Sequence, residues 1–217
     1  MLVWIVCLLP ALWLGYEALT GQLGANPIEE VLHRTGWWAL ALLMVSLAVT
    51  PIRRLTGWNR LIRYRRLLGL FAFAWATTHF LGYLVLDQWF DWQLIVEDIT
   101  ERHFILVGFA AWLLLLPLAV TSTRGWIRRL GKRWGVLHRL VYLAAALGSL
   151  HFFWKVKADT REPLVFIAVL AVLLLIRVPR VRERAREWRK RLGLRATQSG
   201  GTYGARRDED RLSAPGP

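Results

Sequence analysis

LLGLFAFAWATTHFLGYLVL, residues 67–86, decides how the rest of the chain is read. The stretch contains no Asp, Glu, Lys or Arg, and about 20 apolar residues in helical form cross the ~30 Å of a bilayer's hydrocarbon. RYRR (63–66) stands before it and Asp87 after it. Similar apolar blocks lie at about 2–19, 36–51, 103–121, 135–154 and 163–179. Soluble core helices rarely need such blocks, so the pattern predicts an all-α integral membrane bundle of about six transmembrane helices. Trp37, Trp38, Trp89, Trp92, Trp126, Trp134 and Trp154 fall near block ends, where indole rings anchor at the membrane interface.

The chain has 217 residues and a formal charge of +14. That excess sits in short clusters between blocks and in the tail, which is the pattern of loops beside anionic lipid rather than of a nucleic-acid surface. Segment 52–66 carries Arg53, Arg54, Arg60, Arg63, Arg65 and Arg66, and segment 122–134 carries Arg124, Arg128, Arg129, Lys132 and Arg133. Segment 87–102 is acidic, and segment 20–35 holds Glu29 and Glu30 against Arg34. Lys and Arg stay on the cytoplasmic side. Both termini are therefore expected in the cytoplasm, with loops 20–35, 87–102 and 155–162 facing the periplasm across a bacterial inner membrane. No Lys or Arg precedes the first block, so it is expected to be a retained helix rather than a leader. Residues 1–180 form the expected membrane domain. Residues 181–217 form a basic cytoplasmic tail, helical in part and disordered from about residue 195. The single cysteine, Cys7, rules out an intrachain disulfide and any cysteine-held metal site within one chain.

Five histidines remain. His33 and His103 lie at block edges, where an exposed imidazole needs no explanation. His79, His138 and His151 lie within apolar blocks, where an ionisable group is costly and faces the bundle interior with a partner. At 1.5 Å per residue His79 stands roughly 20 Å above the cytoplasmic edge and His151 roughly 24 Å, a difference of less than one turn. Axial ligation of one haem iron by two imidazoles requires that match of level. Hydrogen bonding between helices is the competing reading. A non-haem metal is disfavoured because no carboxylates lie at that depth. His138 is about 20 Å from His151 along one helix and cannot share its iron, so a role for it needs a second haem nearer the cytoplasm. An ideal helix also sets the two side chains about 140° apart, so either the helix carries a bulge or kink or the haems occupy different sides. No second histidine stands at the lower level on the third block. Arg65 and Arg66 are there instead, suited to a haem propionate or a flavin phosphate unless they only mark the membrane boundary.

Four stretches resemble a known family: GANPIEEVLHRTGWWAL, RYRRLLGLFAFAWATTHFLGY, PLAVTSTRGWIRRLGKRWGVLHRLVYL and LHFFWKVKAD. They resemble the haem-binding membrane subunit of the periplasmic methionine sulfoxide reductase system, within the ferric-reductase-like transmembrane group. The resemblance implies haem b, one or two per chain, held by His79, His138 and His151, and allows an FMN whose site no motif locates. It implies a soluble periplasmic molybdopterin partner that reduces methionine sulfoxide in oxidised proteins. No glycine-rich phosphate loop occurs, so electrons are expected from a separate cytoplasmic flavin reductase or from quinol. The chain departs from other ferric-reductase relatives in carrying one histidine, not two, on the third block. A stand-alone ferric reductase and a transporter or scaffold with structural histidines are the alternative readings.

Overall fold

The computed structural model describes residues 2–177, and every regular element among them is helical. The elements are α1 (Leu2–Leu19), α2 (Pro27–Thr56), α3 (Ile62–Gly82), α4 (Trp92–Glu101), α5 (His103–Val120), α6 (Arg124–Leu130), α7 (Lys132–Leu137), α8 (Leu140–Lys155) and α9 (Arg161–Leu175). A π-helical turn, Tyr83–Asp87, extends α3. Four stretches are long and apolar enough to cross a membrane: Pro27–Thr56, Asn59–Asp87, His103–Val120 and Lys132–Lys155. They carry the expected blocks at 36–51, 67–86, 103–121 and 135–154. The other two expected blocks correspond to α1 and α9, apolar helices that fall outside those four. The sixth block runs past the described residues, and the expected tail at 181–217 lies outside them.

α2 starts well before its apolar block because its N-terminus is built to begin there. The Asn26 side chain accepts the Glu29 N–H, Pro27 stands in the first turn, and Glu29 and Glu30 complement the positive helix end. At the other end Arg53 and Arg54 sit in the last turn, and Gly57 takes the left-handed conformation (φ 78°) that closes the helix. Two segments expected as loops contain short helices. α4 is capped by Asp91 and turns Ile95 and Asp98 inward, and α6 is capped by Thr123. The expected fifth span is interrupted at His138–Arg139, between α7 and α8.

α2 packs along α3, α5 along α8, and the α3–α5 and α2–α8 contacts close a four-helix ring. α9 covers α8 and α2, and α1 leans on α3. Ala72 on α3 and Ala144 and Ala145 on α8 are fully buried, and small residues at such crossings let helix backbones approach. The Ser46 hydroxyl bonds the Arg65 carbonyl at 2.9 Å, and the Trp112 indole donates to Thr77 at 3.1 Å, tying α2 to α3 and α5 to α3. Leu70, Leu81, Leu106, Leu113, Leu143 and Val172 face outward, an apolar exterior that suits lipid rather than water. Trp89 and Trp92 are exposed, but Trp37 and Trp38 pack with Phe166 and Trp75, and Trp134 stacks on His138.

α1 is held by few contacts. The Trp75 indole donates to the Cys7 carbonyl at 3.2 Å, and Trp4 meets Phe71 edge-on at 5.0 Å. Trp75→Phe keeps the aromatic body and removes the donor. The buried Cys7 thiol should then react with maleimide about fivefold faster in detergent, the effect of losing one hydrogen bond that holds a local element closed.

Candidate functional site

His79 lies in the last turn of α3 and His151 near the end of α8, and the ring brings them together. Their imidazole centres are 6.0 Å apart and their planes are inclined at 77°. Each ring is fixed in the same way. Nδ1 of His79 stands 2.9 Å from the Leu32 carbonyl of α2, and Nδ1 of His151 stands 2.7 Å from the Phe104 carbonyl of α5. A carbonyl only accepts, so both Nδ1 atoms carry the proton and both Nε2 atoms keep the lone pair. Among the described residues no hydrogen bond reaches either Nε2.

A glycine makes each approach possible. Gly36 lies one turn after Leu32, and Gly108 one turn after Phe104. A Cβ at Gly36 would come within 3.1 Å of the His79 ring, and one at Gly108 within 2.5 Å of His151 Nδ1. The offset that separates His79 from His151 also separates Leu32 from Phe104, Gly36 from Gly108, Ala76 from Gly148 and Ala72 from Ala144. The α2–α3 pair and the α5–α8 pair are thus two copies of one arrangement. The same offset carries Arg66 onto His138 and Tyr83 onto Lys155.

The paired imidazoles border a cavity of about 840 Å³. That volume is in the range of small-molecule and cofactor sites, ≈ 300–1,000 Å³. Its walls are mainly apolar and aromatic, with Phe80, Phe109 and Trp112 on one side. Ala76 and Gly148, each one turn inward of a histidine, leave the wall open beneath the rings. A ligating imidazole nitrogen sits about 2.0–2.1 Å from its metal and about 1 Å from its own ring centre, so two rings on one metal have centres about 6 Å apart. Among the described residues no group of three or more His, Cys, Asp or Glu side chains gathers to hold a metal by itself. Two imidazoles in an apolar slot fit a metal that brings its own equatorial ligands, as the iron of haem does.

His138 is not part of this cavity. It sits at the α7–α8 break, stacked on Trp134 with ring centres 3.9 Å apart. The Thr121 hydroxyl donates to the Pro117 carbonyl at 2.6 Å, which leaves its oxygen to accept from His138 Nε2 at 3.2 Å. The nitrogen free in the upper pair is therefore the one engaged here. The helical pattern breaks at His138 and Arg139, one of the two ways round the 140° mismatch. Arg65 lies within electrostatic reach of His138 and Arg177, and Arg66 reaches the Ser122 carbonyl at 3.4 Å. Neither arginine borders the upper cavity. His33, expected at a helix edge, lies at the cavity rim, partly exposed and 3.8 Å from Glu162.

A ferric reductase like transmembrane component model matches residues 35–149, more than half the chain. The chain is 55% identical to the protein-methionine-sulfoxide reductase heme-binding subunit MsrQ of Rhodospirillum rubrum, over 84% of this chain and 88% of that protein. It is 54% identical to MsrQ of Xanthomonas axonopodis pv. citri over 76% of each, and 53% identical to that of Xanthomonas oryzae pv. oryzae over 75% and 74%. The chain belongs to the MsrQ family. No solved structure matches it. Within this MsrQ-family chain, reading block by block passed over the two glycines and the two backbone carbonyls. The signal that finds them is the repeated offset.

Gly108→Ala should push the His151 ring off the Phe104 carbonyl. In ¹⁵N-histidine spectra of the full chain, the hydrogen-bonded Nδ1–H signal of His151 is expected to disappear while that of His79 stays. Gly36→Ala, with its looser fit, should shift the His79 signal without abolishing it.

Proposed function

We propose that this chain is the haem b electron-transfer subunit of a bacterial inner-membrane system. Electrons come from a cytoplasmic flavin reductase or from quinol and go to a periplasmic molybdopterin methionine sulfoxide reductase that repairs oxidised proteins. The observation that carries the reading is the pair of imidazoles, His79 and His151, held about one iron's width apart with Nε2 of each unengaged. The relatives' name, a haem-binding subunit of a methionine sulfoxide reductase, agrees with it. A haem bound there supplies a one-electron carrier whose potential is set by its axial ligands and burial.

The chain's own work is placement. Leu32 and Phe104 fix the tautomer and direction of the two ligands, as carbonyl partners do for metal-bound histidines generally. The aromatic and alanine walls exclude water. His138 would serve a second haem on the cytoplasmic side, with Arg65 and Arg66 pairing a propionate or an FMN phosphate. In this reading α1 and the helix beginning with α9 complete six spans, both termini are cytoplasmic, and loops 20–35, 87–102 and 155–162 form the face that meets the reductase. Residues 1–180 are the haem domain and 181–217 a basic tail at the membrane surface. On its own the chain does not act on methionine sulfoxide.

The absorption spectrum tests this directly. Purified from haem-replete cells, the chain should show a Soret band that His79→Ala and His151→Ala each abolish. A colourless wild type would overturn the proposal in favour of a scaffold with structural histidines. Colour lost with His79→Ala and His151→Ala but kept in full by His138→Ala would mean a single upper haem. If the haem reoxidises at full rate with periplasmic iron and no molybdenum partner, the chain is a ferric reductase instead.

A further inference from the structure

The cavity is polar at one end only. Asn26, Glu29 and His33 lie at the start of α2, Asp87 ends the π turn, Arg102 precedes α5, and Lys155 is the last residue of α8. In an up-and-down ring these positions share one end of the bundle, and Arg102 and Lys155 are partly open to solvent there. Lys155 stands four residues beyond His151, one turn outward on the same helix face. Haem b is amphipathic: an apolar disc with two carboxylates on one edge. A disc gripped by His79 and His151 can leave that edge in a polar setting only at this end of the cavity.

We propose that Arg102 and Lys155 bind the two carboxylates of the porphyrin at the cavity mouth, and that Asp98 positions Arg102 for this. The assignment rests on the haem reading of His79 and His151. Asp98 is a buried carboxylate with three partners. It accepts from Gln88 Nε2 at 2.9 Å and from the Tyr83 hydroxyl at 3.3 Å, and it pairs with Arg102 Nε at 3.2 Å. A carboxylate pinned in that way holds the Arg102 stem still. The guanidinium has five donors and Asp98 engages Nε and Nη1, so Nη2 remains for a second anion. Lys155 pairs with Glu29 at 3.3 Å, but Glu29 is 61% exposed. A surface pair of that kind yields readily to a better-placed carboxylate. The other acid at the rim, Asp87, bonds Gln88 at 3.2 Å. Tyr83 and Lys155 occupy equivalent positions in the two halves. One half therefore supplies its cation directly, and the other supplies it through Tyr83, Asp98 and Arg102.

The test compares haem with haem dimethyl ester, whose carboxylates are capped, in the full-length chain produced under haem limitation and loaded in detergent. Transfer of the pigment to apomyoglobin and the midpoint potential are the readouts. Lys155→Gln and Arg102→Gln should each release haem about tenfold faster, the order of one charge-assisted hydrogen bond. Each should also lower the midpoint potential, because a cation lost beside the iron favours the ferric form. Asp98→Asn should match Arg102→Gln in release rate, Lys155→Arg should restore retention, and Lys157→Gln should change nothing. The wild type should lose the ester faster than haem, and the Arg102→Gln, Lys155→Gln double variant should lose both at one rate. Equal retention of haem and ester by the wild type, which needs no variant, overturns the assignment and leaves the axial pair standing. A wild type that takes up no haem overturns the axial reading and this one with it.

Discussion

An imidazole can present one nitrogen in a fixed direction only when something holds the other. In this chain a main-chain carbonyl does so, twice, from a neighbouring helix. A Cβ one turn along would displace the ring at Gly108 and crowd it at Gly36, so the grip depends on glycine most strictly at Gly108. Backbone carbonyls do not swing as side chains do. Two rings seated on two helices inherit the stiffness of the bundle, and their 6.0 Å separation becomes a property of the helix packing.

That dependence runs outward through the structure. The carbonyls of α2 and α5 are within reach of α3 and α8 only because small residues such as Ala72, Ala144 and Ala145 let the helices close. Close packing at those crossings leaves large side chains for the exterior, where lipid solvates them, and for the walls of the cavity. Charged groups gather at the ends of the bundle, where caps and ion pairs can use them. Arg34 bridges Glu17 and Glu30 at one end, and Arg177 at the other donates to the Leu47 carbonyl at 2.6 Å.

Much of this is legible in the sequence where a fixed dimension does the work. The hydrocarbon thickness picks out the four long spans, and the rise per residue brings His79 and His151 to one level before any packing is known. The same arithmetic, through the angle between His138 and His151, leaves a choice between an interruption and haems on different sides. It does not say where an interruption falls; the structure has it at His138, which bonds Thr121 and stacks on Trp134 together. α4 and α6 escape a hydropathy reading since short amphipathic helices are not apolar overall. Gly36 and Gly108 escape because a glycine in an apolar run carries no sign of which neighbour needs its space. Trp37 and Trp38 show a related gap: hydropathy does not say that span-end indoles also pack on Phe166 and Trp75.

The matched offset between halves has one more consequence. Two identical hairpins meeting as a homodimer would be bound by symmetry to make each end of the bundle two-fold symmetric. Joined in one polypeptide, the copies agree where two equal grips are needed and are free to diverge elsewhere. Histidine faces histidine near one end, while at the other an arginine occupies the position that its twin gives to histidine. Tandem fusion thus releases the inner end from the constraint that shapes the outer one, and a single chain can offer a symmetric seat on one side of the bilayer and an asymmetric one on the other.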